Sequence, residues 1–165
     1  MKTRYTALIF GLALALTSAL FIGCETTGAN PPPVQQRTKA VFDAPKDKVW
    51  PLLVGEVGLE YPVRAIEKDS GLITTDWINL PAGYNNMNQA NWVFALGGFL
   101  ATWDGLRMNM KILAVELEPG KTQVTINCHY EAFESNVSKS WIVAQSNGSI
   151  ENGILSKIEQ QLPKK

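Results

Sequence analysis

Two stretches flanking Glu118-Pro119-Gly120-Lys121 limit the possible folds more than any other part of the chain. From Thr122 to Phe133, Val124, Ile126, Cys128 and Tyr130 fall on one side, and Gln123, Thr125, Asn127 and His129 on the other. A period of two belongs to a strand, because successive side chains leave a strand on opposite faces. Before the turn, Leu106 to Leu117 carries Met108, Met110 and Ile112 at the same period, then a nearly continuous apolar run. Pro and Gly between the two stretches are turn formers. Residues 106–133 are therefore expected to form one long hairpin with an apolar face. Such a face has to be buried against another layer.

Two helices are available as that layer. Asp43-Ala44-Pro45 suits a helix start, with Asp43 as cap and Pro45 in the first turn. The helix is expected from Pro45 to about Val57, with Val49, Leu52, Leu53 and Val57 on one side and Gly58 as terminator. Pro51 inside it predicts an irregular first turn. The chain is read as helical again from Ser138, ending in a stripe of Ile150, Ile154, Leu155, Ile158 and Leu162. Trp50 and Trp141 fall on these helical stripes and are expected in the core. Shorter strands are expected at Arg37–Asp43, Tyr61–Glu67 and Leu72–Ile78. The last two are joined by a Lys68-Asp69-Ser70-Gly71 turn, and Ile73, Thr75 and Trp77 share a face. The expected order is β-α-β-β-(β)-β-β-α, an α+β domain over residues 37–165.

The N-terminus is of another kind. Lys2 and Arg4 precede an uncharged, largely apolar run to Gly23, the pattern of a secretory leader. The run is almost long enough for a simple membrane anchor, and a soluble secreted product is a further alternative. Phe21-Ile22-Gly23-Cys24, however, resembles a bacterial lipobox. That resemblance implies cleavage of residues 1–23 and acylation of Cys24, palmitate included; several chains together hold a protein firmly at a membrane. Glu25 rather than Asp follows the cysteine, which implies an outer-membrane address with the domain in the periplasm. Residues 24–36 include Pro31, Pro32 and Pro33 and read as a tether of roughly 30–40 Å at about 3.1 Å per residue.

Asn79 to Gly105 is an unusually long connection for a compact domain. Its second half, WVFALGGFLATW, carries no charge from Trp92 to Trp103. It reads either as a buried strand interrupted at Gly97-Gly98 or as an exposed apolar loop that docks on a partner or lipid. In the second reading Trp92, Phe94, Phe99 and Trp103 are the candidate contact residues.

The sequence carries no recognisable catalytic constellation. His129 is the sole histidine, and its neighbour Cys128 is expected on the opposite face of the same strand. Cys128 is also the sole cysteine besides Cys24, which leaves no disulfide framework and a poor basis for zinc. Gly97-Gly98 lacks the Lys-Ser/Thr of a phosphate loop. The whole chain has 15 basic and 15 acidic residues, and removal of the leader takes two basic ones. No basic patch suggests nucleic acid. The expectation is a non-catalytic protein without cofactor or metal.

One family resemblance draws these pieces together. The lipobox, the Pro-rich tether, the helix start DAPKDKVWPLL, the hairpin GLEYPVRAIEKDSGLITTDWI and the closing SNGSIENGILSKIEQQL resemble the helix-grip lipoprotein domains of the BamC group, a component of the outer-membrane β-barrel assembly machinery. Lys68, Asp69, Ser70, Gly71, Leu72, Ile73 and Thr74 match the group's hairpin turn in kind, and Trp50 an aromatic on the first helix. The resemblance implies a helix-grip-like fold, with an antiparallel sheet packed against an N-terminal and a long C-terminal helix. It also implies an accessory or protein-interaction role with an envelope protein partner, in the setting of outer-membrane protein assembly. BamC-type proteins carry two such domains and a long docking segment; this chain has room for one domain and a short tether, so that segment is not carried over. The Val49-Trp50-Pro51-Leu52-Leu53 helix start also resembles the START/Bet v 1-like families, which implies the alternative of a lipid or other apolar ligand, with Met108 and Met110 among the lining residues.

Overall fold

The computed structural model describes residues 35–80, 92–93 and 101–163. The leader, Cys24, the tether to residue 34, Phe94 and Phe99 lie outside the described residues.

The long hairpin is the spine of the fold. β5 (Trp103–Glu118) and β6 (Lys121–Glu134) pair antiparallel along almost their whole length. Met108 faces Tyr130, Met110 faces Cys128, and Ile112 faces Ile126, so both apolar sets share one side. A two-residue turn at Pro119-Gly120 would by itself pair even with odd positions and set Met110 against His129. The register instead shifts by one between Glu116 and Glu118, leaving Leu117 as the extra residue. The bulge brings the two apolar patterns into phase.

Five further strands flank the spine. β1 (Lys39–Phe42) and β7 (Ser140–Ala144) pair with different parts of β6, while β3 (Leu72–Thr75) and β4 (Ile78–Leu80) pair with β5. β2 (Val63–Glu67) closes the far edge against β3. Among the described residues the result is an open antiparallel sheet of seven strands, in the order β1-β6-β5-β3-β2 with β4 and β7 at the margins. Gly71 makes the β2–β3 turn possible. Its φ is +73°, and its carbonyl accepts the Ala114 N–H at 2.8 Å, locking the turn to β5.

Two helices supply the second layer. α1 spans Lys46–Glu60 and buries Val49, Trp50, Leu53 and Val57; α2 spans Ser149–Gln161 and buries Ile154, Leu155 and Ile158. These residues form one apolar cluster with Phe42, Ile73, Met108, Met110, Ile112, Val124, Ile126 and Tyr130. Lys157 of α2 ties the helices together through ion pairs to Glu56 and Glu60 of α1. Among the described residues no helix is long and apolar enough to cross a membrane.

Several sequence expectations are corrected here. Asp43 does not cap α1; Pro45 stands at the N-cap with no side-chain cap bond. Gly58 does not end the helix, which continues to Glu60 and closes with the Tyr61 N–H on the Val57 carbonyl. A glycine costs a helix about 1 kcal/mol, and buried Val57 with half-buried Tyr61 anchors the turns on either side. Pro51 is exposed inside the helix. The expected strand Leu72–Ile78 is broken at Asp76-Trp77, which reverses the phase: Ile73 and Thr75 are buried, but Trp77 faces out. Residues 140–144 form a strand rather than helix, and Trp141 is 37% exposed rather than core. Its β-branched neighbours Ile142 and Val143 favour a strand wherever an edge is open to pair.

Candidate functional site

The sheet has two unlike faces. Helices pack on one. On the other, no described element covers the outward residues of β5, β6 and β7. This outer face carries the most organised polar and aromatic cluster among the described residues.

Arg107 is its centre. The hairpin register places Arg107 opposite Glu131, and Nε and Nη2 of the arginine both donate to Glu131 Oε2, at 2.8 and 2.6 Å. Trp141 stands across from Phe133 on β7, with ring centroids 5.4 Å apart. Its indole leans over Gly105, where a Cβ would come within 3.2 Å of the ring. Glycine at this position therefore gives the tryptophan room to lie inward. The Arg107 guanidinium carbon then sits 4.1 Å from the Trp141 ring centroid and 4.5 Å from that of Trp77. An arginine held between two indoles gains cation–π attraction on both sides.

His129 completes the cluster. It meets Trp77 edge to face at 5.6 Å, and its Nε2 lies 3.4 Å from Glu131 Oε1. Glu131 thus receives Arg107 on one oxygen and His129 on the other. The Arg107 hydrogen bonds, opposed by partial burial and aided by His129, hold the Glu131 carboxyl below its ordinary value. Trp77 remains 42% and Trp141 37% exposed, so both indoles of the stack stay accessible to solvent.

A second polar group lies on the helix side. Glu151, 1% exposed in the first turn of α2, accepts the Ser146 hydroxyl on Oε1 at 2.7 Å, while Oε2 has no oxygen or nitrogen partner among the described residues. The fully buried Tyr130 hydroxyl has no partner among the described residues beyond the weak Cys128 thiol. Half-buried Cys128 sits with them; burial first, then the Glu151 carboxylate, pushes its thiol well above the ordinary range. A thiol so held is a poor nucleophile. Cys128 and His129 lie on opposite faces of β6, as their adjacency in a strand requires. No group of three or more His, Cys, Asp or Glu among the described residues is arranged to hold a metal ion.

Glu134 plays a structural part at the margin. It accepts backbone N–H groups of Thr102, Asn136 and Val137, at 3.3, 2.8 and 3.0 Å, and that of Ser138. One buried carboxylate thereby fixes the β6–β7 turn, which positions Trp141.

The two described candidate contact residues of the long connection, Trp92 and Trp103, fall elsewhere. Trp92 is half-buried against the core; its carbonyl accepts the Asn147 N–H at 3.0 Å, and the next residue, Val93, is buried and bridges to Ser146. Trp103 opens β5 opposite Glu134 and also packs against the core. Neither is brought to the Arg107 cluster. Sequence reasoning missed Trp77, Arg107, Glu131 and Trp141. One signal was available: both apolar sets of the hairpin occupy even positions, which a two-residue turn cannot pair without a bulge, and that bulge sets Arg107 opposite Glu131. No family model and no curated protein matches this chain.

Proposed function

We propose that the protein is a non-catalytic envelope lipoprotein, held at the outer membrane by acyl chains on Cys24 with its domain in the periplasm, and that it acts by binding another envelope protein. We read the seven-stranded sheet with its two helices as helix-grip-like, in keeping with the resemblance to BamC-type domains, and outer-membrane protein assembly as the setting of the role.

The Trp77–Arg107–Trp141 stack, on the sheet face that no described element covers, carries this reading. Tryptophan and arginine dominate the energetics of protein interfaces, and preordered ones lose little entropy on binding. The face is also large enough. β5 has 16 residues, and at about 3.4 Å per residue such a strand is roughly 50 Å long. The five flanking strands have only three to five residues each, so at about 4.8 Å between strands the whole face comes to roughly 800 Å², the share per partner of a standard interface. Met108 and Met110, two of the lining residues of the apolar-ligand alternative beside the Trp92–Trp103 region, are 0% and 1% exposed within the core cluster.

The test places a photo-crosslinking residue at Val143, beside the stack, and separately at Gln160 on α2, in the full lipidated chain. The expected result is a discrete protein adduct from position 143, none from 160, and loss of the adduct in Arg107→Ala with the fold retained. Identical adducts from both positions, or an adduct indifferent to Arg107→Ala, would sink the reading. For the anchor, Cys24→Ala should abolish labelling by radiolabelled palmitate, and persistent label would overturn it.

A further inference from the structure

The half of the outer sheet face nearer the hairpin tip has a pattern of its own. Strand register sets its outward side chains in rows. Val41 of β1 and Val115 of β5 both stand opposite Gln123 of β6, and Lys39 and Leu113 both stand opposite Thr125. Leu72 of β3 continues the second row beyond Leu113. Val41 is 51%, Leu113 40% and Val115 38% exposed, and Leu117 is exposed at the end of the hairpin. Apolar side chains exposed singly are ordinary, but neighbouring ones rimmed by polar residues mark an interaction surface.

The charges on this face do not balance. Lys39 and Lys111 are exposed on its outward rows, and neither makes an ion pair among the described residues. Other lysines are engaged: Lys46 donates to the Asp69 carbonyl, and Lys68, Lys121 and Lys157 each hold a carboxylate. Between Gly105 and Glu116, and along the β6 stretch paired with it, the one outward carboxylate is Glu131. Arg107 occupies one of its oxygens and His129 the other. Glu67, at the far end of the Leu113 row, receives the Ser70 hydroxyl. The face thus keeps two cations without a facing anion, beside apolar side chains without a described cover.

The spacing fits one kind of cover. Lys39 and Lys111 lie two strands apart, about 10 Å across the sheet, close to the 10–12 Å width of a helix with its side chains. Arg107 and Leu117, ten residues apart on β5, mark a lane roughly 34 Å long. A helix of about 21 residues has nearly that length. The opposite face of the same sheet is covered by helices, α1 and α2, through apolar stripes.

We propose that the outer face docks an acidic amphipathic helix of its partner. The apolar stripe of that helix lies on Val41, Leu113 and Val115, carboxylates beside the stripe meet Lys39 and Lys111, and its far end reaches the tryptophan–arginine stack. The proposal rests on the reading of this face as a protein interface, and adds the chemistry of what binds there.

The test titrates the full lipidated chain in nonionic micelles with a fluorescent peptide of about 21 residues, three repeats of Leu-Glu-Glu-Leu-Leu-Glu-Glu. Fluorescence anisotropy should show saturable binding that empty micelles lack. A counterpart with Gln for every Glu should bind about fivefold more weakly or worse, as should the acidic peptide with combined Lys39→Glu and Lys111→Glu. Both lysines are exposed, so this variant keeps the fold, as an unchanged unfolding midpoint would verify. Val41→Thr with Val115→Thr keeps the β-branched shape and should also weaken binding, by removing apolar surface. Salt at about 0.5 M should weaken it by screening. Equal affinity for the Gln peptide, or undiminished affinity in the lysine variant, would overturn the proposal. So would absence of peptide binding together with binding to phosphatidylglycerol added to the micelles, since the lysines would then face lipid headgroups. A crosslinked adduct at position 143 that needs Arg107 but ignores the lysine variant would overturn the helix lane and leave the interface reading standing.

Discussion

Gly71 and Gly120 form a matched pair for testing how the sheet is locked. Both close hairpin turns with positive φ, +73° and +84°. An alanine at either position pays for the left-handed backbone, about 1–2 kcal/mol. Their surroundings differ. A Cβ on Gly120 meets nothing within 4 Å, whereas one on Gly71 would lie 2.0 Å from the Ala114 carbonyl oxygen. That oxygen belongs to the backbone of β5 and cannot swing aside as a side chain would. Relief requires the β2–β3 turn to lift from β5, which breaks the Ala114 N–H to Gly71 bond and loosens Ile73 against Ile112. The lost hydrogen bond costs about 0.5–1.5 kcal/mol and the overpacking about 1–3 kcal/mol. Gly71→Ala should therefore lose about 3–6 kcal/mol in all, against about 1–2 kcal/mol for Gly120→Ala. Urea unfolding followed by far-UV circular dichroism measures both, with an unchanged m-value showing that the denatured state is the same. Equal losses within about 1 kcal/mol would refute the steric argument and the turn's role as a lock.

Two further outcomes test the polar interior. Backbone hydrogen bonds, first from Ser138 and then from Val137, depress Glu134 from the ordinary 4.5 to about 2. A depressed carboxyl contributes stability that is fully present above 4.5 and lost as pH falls from there through about 2. Thermal unfolding between pH 6 and pH 2 should consequently show a smaller acid decline for Glu134→Gln than for the parent protein; superimposable profiles would remove Glu134 from the account. Tyr130→Phe deletes a buried hydroxyl that has no partner among the described residues beyond the weak Cys128 thiol, so stability to thermal unfolding should hold or rise, by up to about 1 kcal/mol. A loss larger than that would mean the hydroxyl is hydrogen-bonded in solution.

Much of the architecture is legible in the chain because period and turn chemistry are local. The even-numbered apolar residues of 106–133 specify a long amphipathic hairpin, and Ile154, Leu155 and Ile158 specify a helix whose apolar stripe faces it. Even the exclusion of a Cys128–His129 pair follows from the alternation of a strand. Errors arose where local preference met tertiary competition. Trp141-Ile142-Val143 suits a helical stripe by position, but the edge of β6 beyond Phe133 is open and pairs with it. Trp77 belongs with Ile73 by parity, until Asp76-Trp77 breaks the strand and turns the indole outward.

The sequence by itself therefore determined the long hairpin, which of its sides is buried and the two helices, because hydrophobic burial acts on each element's own periodicity. It also carries the lipobox-like Cys24, whose reading needs no fold at all. Only the tertiary structure decided the outer-face cluster. Arg107, Glu131 and Trp141 come from three strands and Trp77 from the break between β3 and β4, and their meeting depends on one bulge at Leu117, one broken strand at Asp76 and one missing side chain at Gly105. A one-residue slip moves a side chain to the opposite face of a sheet. Contacts across strands are thus set by registers that no single segment contains.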